Sequence, residues 1–136
     1  MNYPIYQQYD ATQVLVADDD RDDAASTAST LRRAGCRVRQ AADGDRAIEL
    51  ADSYRPHVIF LNVSLPKQSG WLVCAKLKLV EPAPFVVLMG ADSEKGFDNE
   101  LFASIVGADK VLYKPLSEGK ILITLRELIP CGGLER

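Results

Sequence analysis

The chain has little of what most catalytic and metal sites are made from. Its one histidine, His57, stands alone in 136 residues, so no cluster of imidazoles can gather a metal or serve a hydrolase. Three cysteines, Cys36, Cys74 and Cys131, are odd in number and far apart. That pattern suggests neither a disulfide framework nor a zinc site, and it reads as structural thiols in a reducing cytoplasm. Basic residues do not dominate: 16 Lys and Arg stand against 19 Asp and Glu, a net charge of −3. The electrostatic footprint of nucleic-acid or anionic-membrane binding is therefore missing. No apolar run approaches the ~20 residues of a membrane helix, and the N-terminus lacks the charged-then-apolar pattern of a signal peptide. What remains is a globular chain of 47% hydrophobic residues, the length of one ordinary domain.

The most informative stretch is HVIFLNVSLP, His57–Pro66. Val58–Val63 is apolar except for Asn62, and Pro56 and Pro66 flank it. So short a run between prolines favours a central strand buried on both faces. Asn62 then falls at the C-terminal end of that strand, where open α/β sheets bind ligands.

Around it, strands and helices alternate. Residues 1–12 form a polar, aromatic lead-in whose three tyrosines are candidates for docking on a partner. A strand is expected over Gln13–Ala17, then a helix over Arg21–Ala34 with Ala24, Ala28 and Leu31 on one face and Gly35 as its stop. Cys36–Ala41 alternates Val38 against Arg37 and Arg39, as a half-exposed edge strand does. Asp43-Gly44 turns into a helix carrying Ala47, Ile48 and Ala51 that ends before Pro56. After the central strand, a helix is expected from about Trp71 to Val80, a strand over Phe85–Met89 and a helix from about Asp98 to Val106. Lys110–Tyr113 is the fifth strand, and Ser117–Ile129 a last helix with Ile121, Leu122, Leu125, Leu128 and Ile129 on one face. Five strands alternating with five helices imply an α/β parallel sheet with right-handed crossovers. Residues 13–130 make one domain, with a short tail at 131–136.

Parallel strands end on one edge, so Asp18, Asp19 and Asp20, Asn62, Gly90 and Lys114 are expected to converge. Carboxylates beside a carboxamide and a lysine form a small acidic pocket of the hard-oxygen kind that suits Mg²⁺. The competing reading is that the Asp triplet merely caps the first helix.

These segments resemble the receiver domain of bacterial response regulators, the CheY-like (flavodoxin-like) fold. The carriers are VLVADDD (14–20), VIFLNVSLP (58–66) with Gly70 beyond it, VVLMGA (86–91) and GADKVLYKP (107–115), and the resemblance covers about residues 12–130. It implies a doubly wound sheet of strand order 2-1-3-4-5. It also implies a phosphorelay chemistry: an aspartate ending strand three takes a phosphoryl group from a histidine kinase with Mg²⁺ bound beside it. By match, the acidic pair is Asp18 and Asp19, the backbone metal ligand Ser64, and the lysine that binds the phosphoryl group Lys114.

The chain departs from that pattern three times. The phosphoacceptor position holds Asn62, and a carboxamide has no anionic oxygen with which to attack a phosphohistidine. The hydroxyl position holds Gly90, and the aromatic switch position holds Val111, with Tyr113 two residues along on the same strand face. The expectation is a pseudo-receiver: a non-enzymatic, phosphorylation-independent protein–protein interaction module of two-component signal transduction. Its protein partner is expected on the surface of helix four, strand five and helix five, where Phe97, Leu101, Phe102 and Ile105 lie. Mg²⁺ binding through Asp18, Asp19, Asn62 and Ser64 is expected to be weak. The alternatives are a conventional receiver using another residue (Ser64 or Asp19) or a deamidated Asn62, and a small flavodoxin-fold enzyme. The aspartates after strand one argue against the enzyme, since they would repel the phosphate of FMN. Trp71 and Leu72 read either as core or as a contact patch, and His57 as non-catalytic.

Overall fold

Alternate side chains of a strand point to opposite faces, so a buried sheet must fill two cores at once. The strands here do so. Val14, Val16, Val58, Phe60, Val87 and Met89 point to one side, against Ala24, Ala28 and Leu31 of one helix and Ile121, Leu125 and Ile129 of the last. Leu15, Ala17, Ile59, Leu61, Val86 and Leu88 point to the other, against Ala47, Leu50, Val73, Cys74, Leu77 and Ala103. The computed structural model describes Tyr9, residues 11–90 and residues 99–130.

The elements in chain order are β1 (Gln13–Ala17), α1 (Arg21–Arg33), β2 (Arg37–Ala41), α2 (Gly44–Tyr54), β3 (Val58–Asn62), α3 (Gly70–Leu77), β4 (Phe85–Gly90), α4 (Asn99–Val106), β5 (Lys110–Tyr113) and α5 (Glu118–Leu128). All strand pairs are parallel, in the order β2-β1-β3-β4-β5. This is the five-stranded, five-helix α/β architecture of CheY-like proteins, with α1 and α5 on one face and α2, α3 and α4 on the other. β2 is the edge strand: Arg37 and Arg39 are exposed and Val38 faces the core. The register of β1 against β3 pairs Ala17 with Leu61, which sets Asp18 beside Asn62.

Two expectations need correction. Helix α3 stops at Leu77 rather than running to Val80, and Leu79 and Val80 lie exposed beyond it. Lys78 is the C-cap residue, its N–H still bonded to the Cys74 carbonyl, and its ammonium reaches the Pro84 carbonyl and the Asp109 carboxylate, both at 2.8 Å. On α2, Ala47 is buried as the pattern implies and Ile48 and Ala51 pack against the core, with Gly44 and Leu50 buried beside them. Tyr9 is no docking residue: its N–H donates to the Ala34 carbonyl at 3.1 Å, and its ring is 3% exposed in the core beside α1. The other two tyrosines of the lead-in, and Phe97, lie outside the described residues.

Candidate functional site

The polar pocket forms where β1, β3 and β5 end. Asp18 is anchored by its backbone N–H, which donates to the Ala41 carbonyl at 3.0 Å, and its side chain is 1% exposed. So buried a carboxylate survives only if both oxygens are compensated. Oδ1 accepts from Asn62 Nδ2 at 2.8 Å and from the Asp20 backbone N–H at 3.0 Å. Oδ2 pairs with Lys114 Nζ at 2.8 Å.

Asn62 is buried and used at both ends of its amide. A carboxylate oxygen only accepts, so the NH₂ must face Asp18. The amide oxygen turns back and accepts from the Ser64 backbone N–H at 3.1 Å, closing an Asx turn at the start of the β3–α3 loop. Behind that turn stands Gly70, whose N–H donates to the Val63 carbonyl at 2.9 Å. A Cβ there would lie 2.1 Å from the Asn62 carbonyl oxygen, so only glycine lets α3 start against the end of β3. The far side of the loop leans on α2. The Gly44 N–H donates to the Pro66 carbonyl at 3.0 Å, and Gln68 Nε2 donates to Asp45 at 2.8 Å.

Lys114 makes a second ion pair, 2.9 Å from Asp23 Oδ2 on α1. Burial disfavours its charged form, but the hydrogen bonds and charges of Asp18 and Asp23 together outweigh that cost and raise its pKa above the ordinary 10.5. A raised pKa means that this stabilisation is present at neutral pH and lost only as pH climbs above that value.

The aspartate triplet divides its work, so pocket and cap are not rivals. Asp18 enters the pocket, Asp20 is the N-cap of α1 and accepts from the Asp23 N–H at 3.0 Å, and Asp19 is exposed. Gly90 presents only backbone, its carbonyl accepting the Lys114 N–H at 2.8 Å. Val111 and Tyr113 are half-buried on β5, with Val111 packed against the α3/α4 core. Asp23 and Gln68 went unnoticed in the sequence, and Gly44 reads there only as a turn into α2. Asp23 had no distinguishing signal among five nearby aspartates, since its partner lies 91 residues away in the chain.

The resemblance implies Mg²⁺ at this edge, and the donor set does not suit it. Of the four residues matched to the metal, Asp18 has both oxygens engaged and Asn62 turns its NH₂ inward and its oxygen to Ser64. Asp19 and Ser64 are exposed at the rim. Among the described residues, no three His, Cys, Asp or Glu side chains gather as ligands.

Away from the pocket, Leu101 and Ile105 on α4 and Ile123 on α5 are exposed. Phe102 meets Trp71 of α3 edge-on, with ring centroids 4.7 Å apart, and Leu72 is exposed. At the opposite end of β3, His57 Nδ1 accepts from the Gln13 N–H at 3.0 Å, and burial lowers its pKa. Burial also pushes the Cys36 thiol up to about 12 and that of Cys74 to about 11, so neither is a thiolate at neutral pH. Among the described residues, no helix is long and apolar enough to cross a membrane.

Comparison with known proteins agrees with this architecture. The profile of the response regulator receiver domain matches residues 14–126. The chain is 30% identical over 128 residues to protein PilG of Pseudomonas aeruginosa, covering 91% of this chain and 92% of that protein. It is 31% identical to the alkaline phosphatase synthesis transcriptional regulatory protein PhoP of Bacillus subtilis, covering 86% of this chain but only 48% of that longer protein. Among solved structures, chemotaxis response regulator CheY4 of Vibrio cholerae superposes with a TM-score of 0.80 at 25% identity, covering 88% of this chain and 99% of that one. The receiver domain of DrrB activated with BeF₃ gives 0.75 at 28% identity, covering 87% and 97%.

Proposed function

The chain belongs to the response regulator receiver domain family of two-component signalling, and from that premise we propose that it is a pseudo-receiver, a protein–protein interaction module that works without phosphorylation. One observation carries the reading. The residue at the acceptor position, Asn62, is a carboxamide whose nitrogen is bonded to Asp18 and whose oxygen is bonded to the loop that follows. It has no anionic oxygen, and neither of its polar atoms is aimed outward for attack. Gly90 offers no hydroxyl to a phosphoryl oxygen, and Lys114 is engaged by two carboxylates. The unit that does this work is residues 13–130, and it meets a signalling or regulatory protein through α4, β5 and α5, where Ile105 and Ile123 are exposed.

The test is intact mass after incubation with acetyl phosphate and Mg²⁺, with amide NMR spectra recorded alongside. The expected outcome is an unchanged mass and no shift running from the strand ends to Tyr113. Gain of one phosphoryl group would sink the reading and identify another acceptor.

A further inference from the structure

Receivers balance a cluster of carboxylates with a metal ion. At this pocket's acceptor position stands an uncharged amide, and an ammonium already lies among its carboxylates. Lys114 Nζ lies 2.8 Å from Asp18 Oδ2 and 2.9 Å from Asp23 Oδ2, and the lysine side chain is 20% exposed. Asp23 stands on the first turn of α1, one turn beyond the cap residue Asp20, where the helix dipole favours an anion. A recess between α1 and the β5–α5 connection is lined by Asp23, Ser26, Thr27, Lys114 and Leu116, so the lysine and Asp23 meet at its edge.

We propose that Lys114 is the resident cation of this pocket, held there by Asp18 and Asp23, and that its ammonium takes the place of Mg²⁺. Three observations bear on it. The ammonium covers the Asp18 oxygen that Asn62 and Asp20 leave available, so a metal would have to displace a charge-assisted contact. Asn62 contributes no negative charge to attract a divalent ion and points donor protons at Asp18. Asp23 supplies a second carboxylate on another element, which fixes the direction of the lysine and ties α1 to the end of β5. Asp23 is therefore a positioning residue acting through Lys114. The inference rests on the reading of this pocket as one that does not accept a phosphoryl group, and it adds the reason a metal is dispensable there.

The experiment is a Mg²⁺ titration followed by amide NMR on the wild-type chain and on Lys114→Met. The wild type should show no saturable shifts at Asp18, Asp19 and Asn62. Lys114→Met removes a unit positive charge from beside Asp18 and frees one of its oxygens, so Mg²⁺ affinity at those amides should rise by about tenfold or more. Saturable pocket shifts of equal affinity in both proteins would overturn the proposal, and so would the absence of any gain in the variant. Should Lys114→Met fail to fold, the ammonium itself is read in the intact protein. The Lys114 Nζ signal should persist unshifted in Mg²⁺ and broaden in Asp23→Asn, whereas displacement of that signal by Mg²⁺ overturns the proposal. Failure here leaves the mass of the acetyl phosphate-treated protein unchanged, so it is distinguishable from failure of the pseudo-receiver reading.

Discussion

The two ends of β3 answer the same need with different chemistry. At each end a polar side chain reaches to a residue 44 positions earlier in the chain, at or beside an end of β1, and holds the two central strands in register. At the C-terminal end the link is Asn62 to Asp18, between side chains, and the amide does not titrate. At the N-terminal end it is the Gln13 N–H to His57 Nδ1, and the acceptor is lost when the imidazole is protonated. The link at the C-terminal end thus runs through an amide that carries no proton to lose, while the opposite link depends on an imidazole whose pKa burial lowers below its ordinary 6.5.

The largest blow to the C-terminal end should come from Gly70→Ala. The new Cβ would lie 2.1 Å from backbone that cannot yield, and we expect a loss of about 3 kcal/mol in urea unfolding, or no folded protein. Next is Asn62→Asp, which replaces a donor with a second carboxylate against Asp18. A loss of about 2 kcal/mol at neutral pH is expected in the absence of metal. The introduced carboxyl has its folded pKa raised by burial and like charge, so its cost is present above the unfolded value. Thermal melts of variant and wild type should therefore converge as pH falls toward ~4.

The N-terminal end predicts a smaller effect with its own pH window. Burial lowers the folded pKa of His57, so below its ordinary 6.5 the unfolded chain binds more protons and stability declines as pH falls. His57→Asn keeps an acceptor for the Gln13 N–H without titrating, and it should flatten that decline. A melt series showing the same slope in both proteins would show that His57 is not its source. Smallest of all, Ile105→Lys lies outside both ends and should change stability by less than ~0.5 kcal/mol while weakening partner binding.

Much of this was legible from local pattern. The five strands and the edge character of β2 followed from alternation and short apolar runs, because burial on one or both faces leaves that signature directly in the residues. Asn62 was conspicuous as the single polar residue in Val58–Val63. The parts that stayed hidden depend on partners distant in the chain. Nothing near Val80 reveals that Lys78, at the end of α3, pairs with Asp109, 31 residues beyond it. Nothing near Asp23 separates it from Asp19 or Asp22, since helical phase places it toward α5 and only the fold brings Lys114 there. Tyr9 sat in a stretch without period, and its burial is set by the end of α1, which pattern around residues 1–12 cannot reveal.

The missing clearance at Gly70 has a mechanical consequence. Where two backbones touch with no side chain between them, there is no soft spacer to absorb displacement, and close-packed interiors pass strain on. Trp71, the next residue, rests its ring against Phe102 of α4. The first turn of α3 therefore behaves as a short strut with α4 at one end and the peptide of Asn62 at the other. Under the proposed role, a protein docked on α4 would press on one end of that strut, and the Asn62 peptide stands at the other. The exposed face of α4 and the polar pocket are thus separated by only two close contacts, Phe102 on Trp71 and Gly70 on the Asn62 peptide.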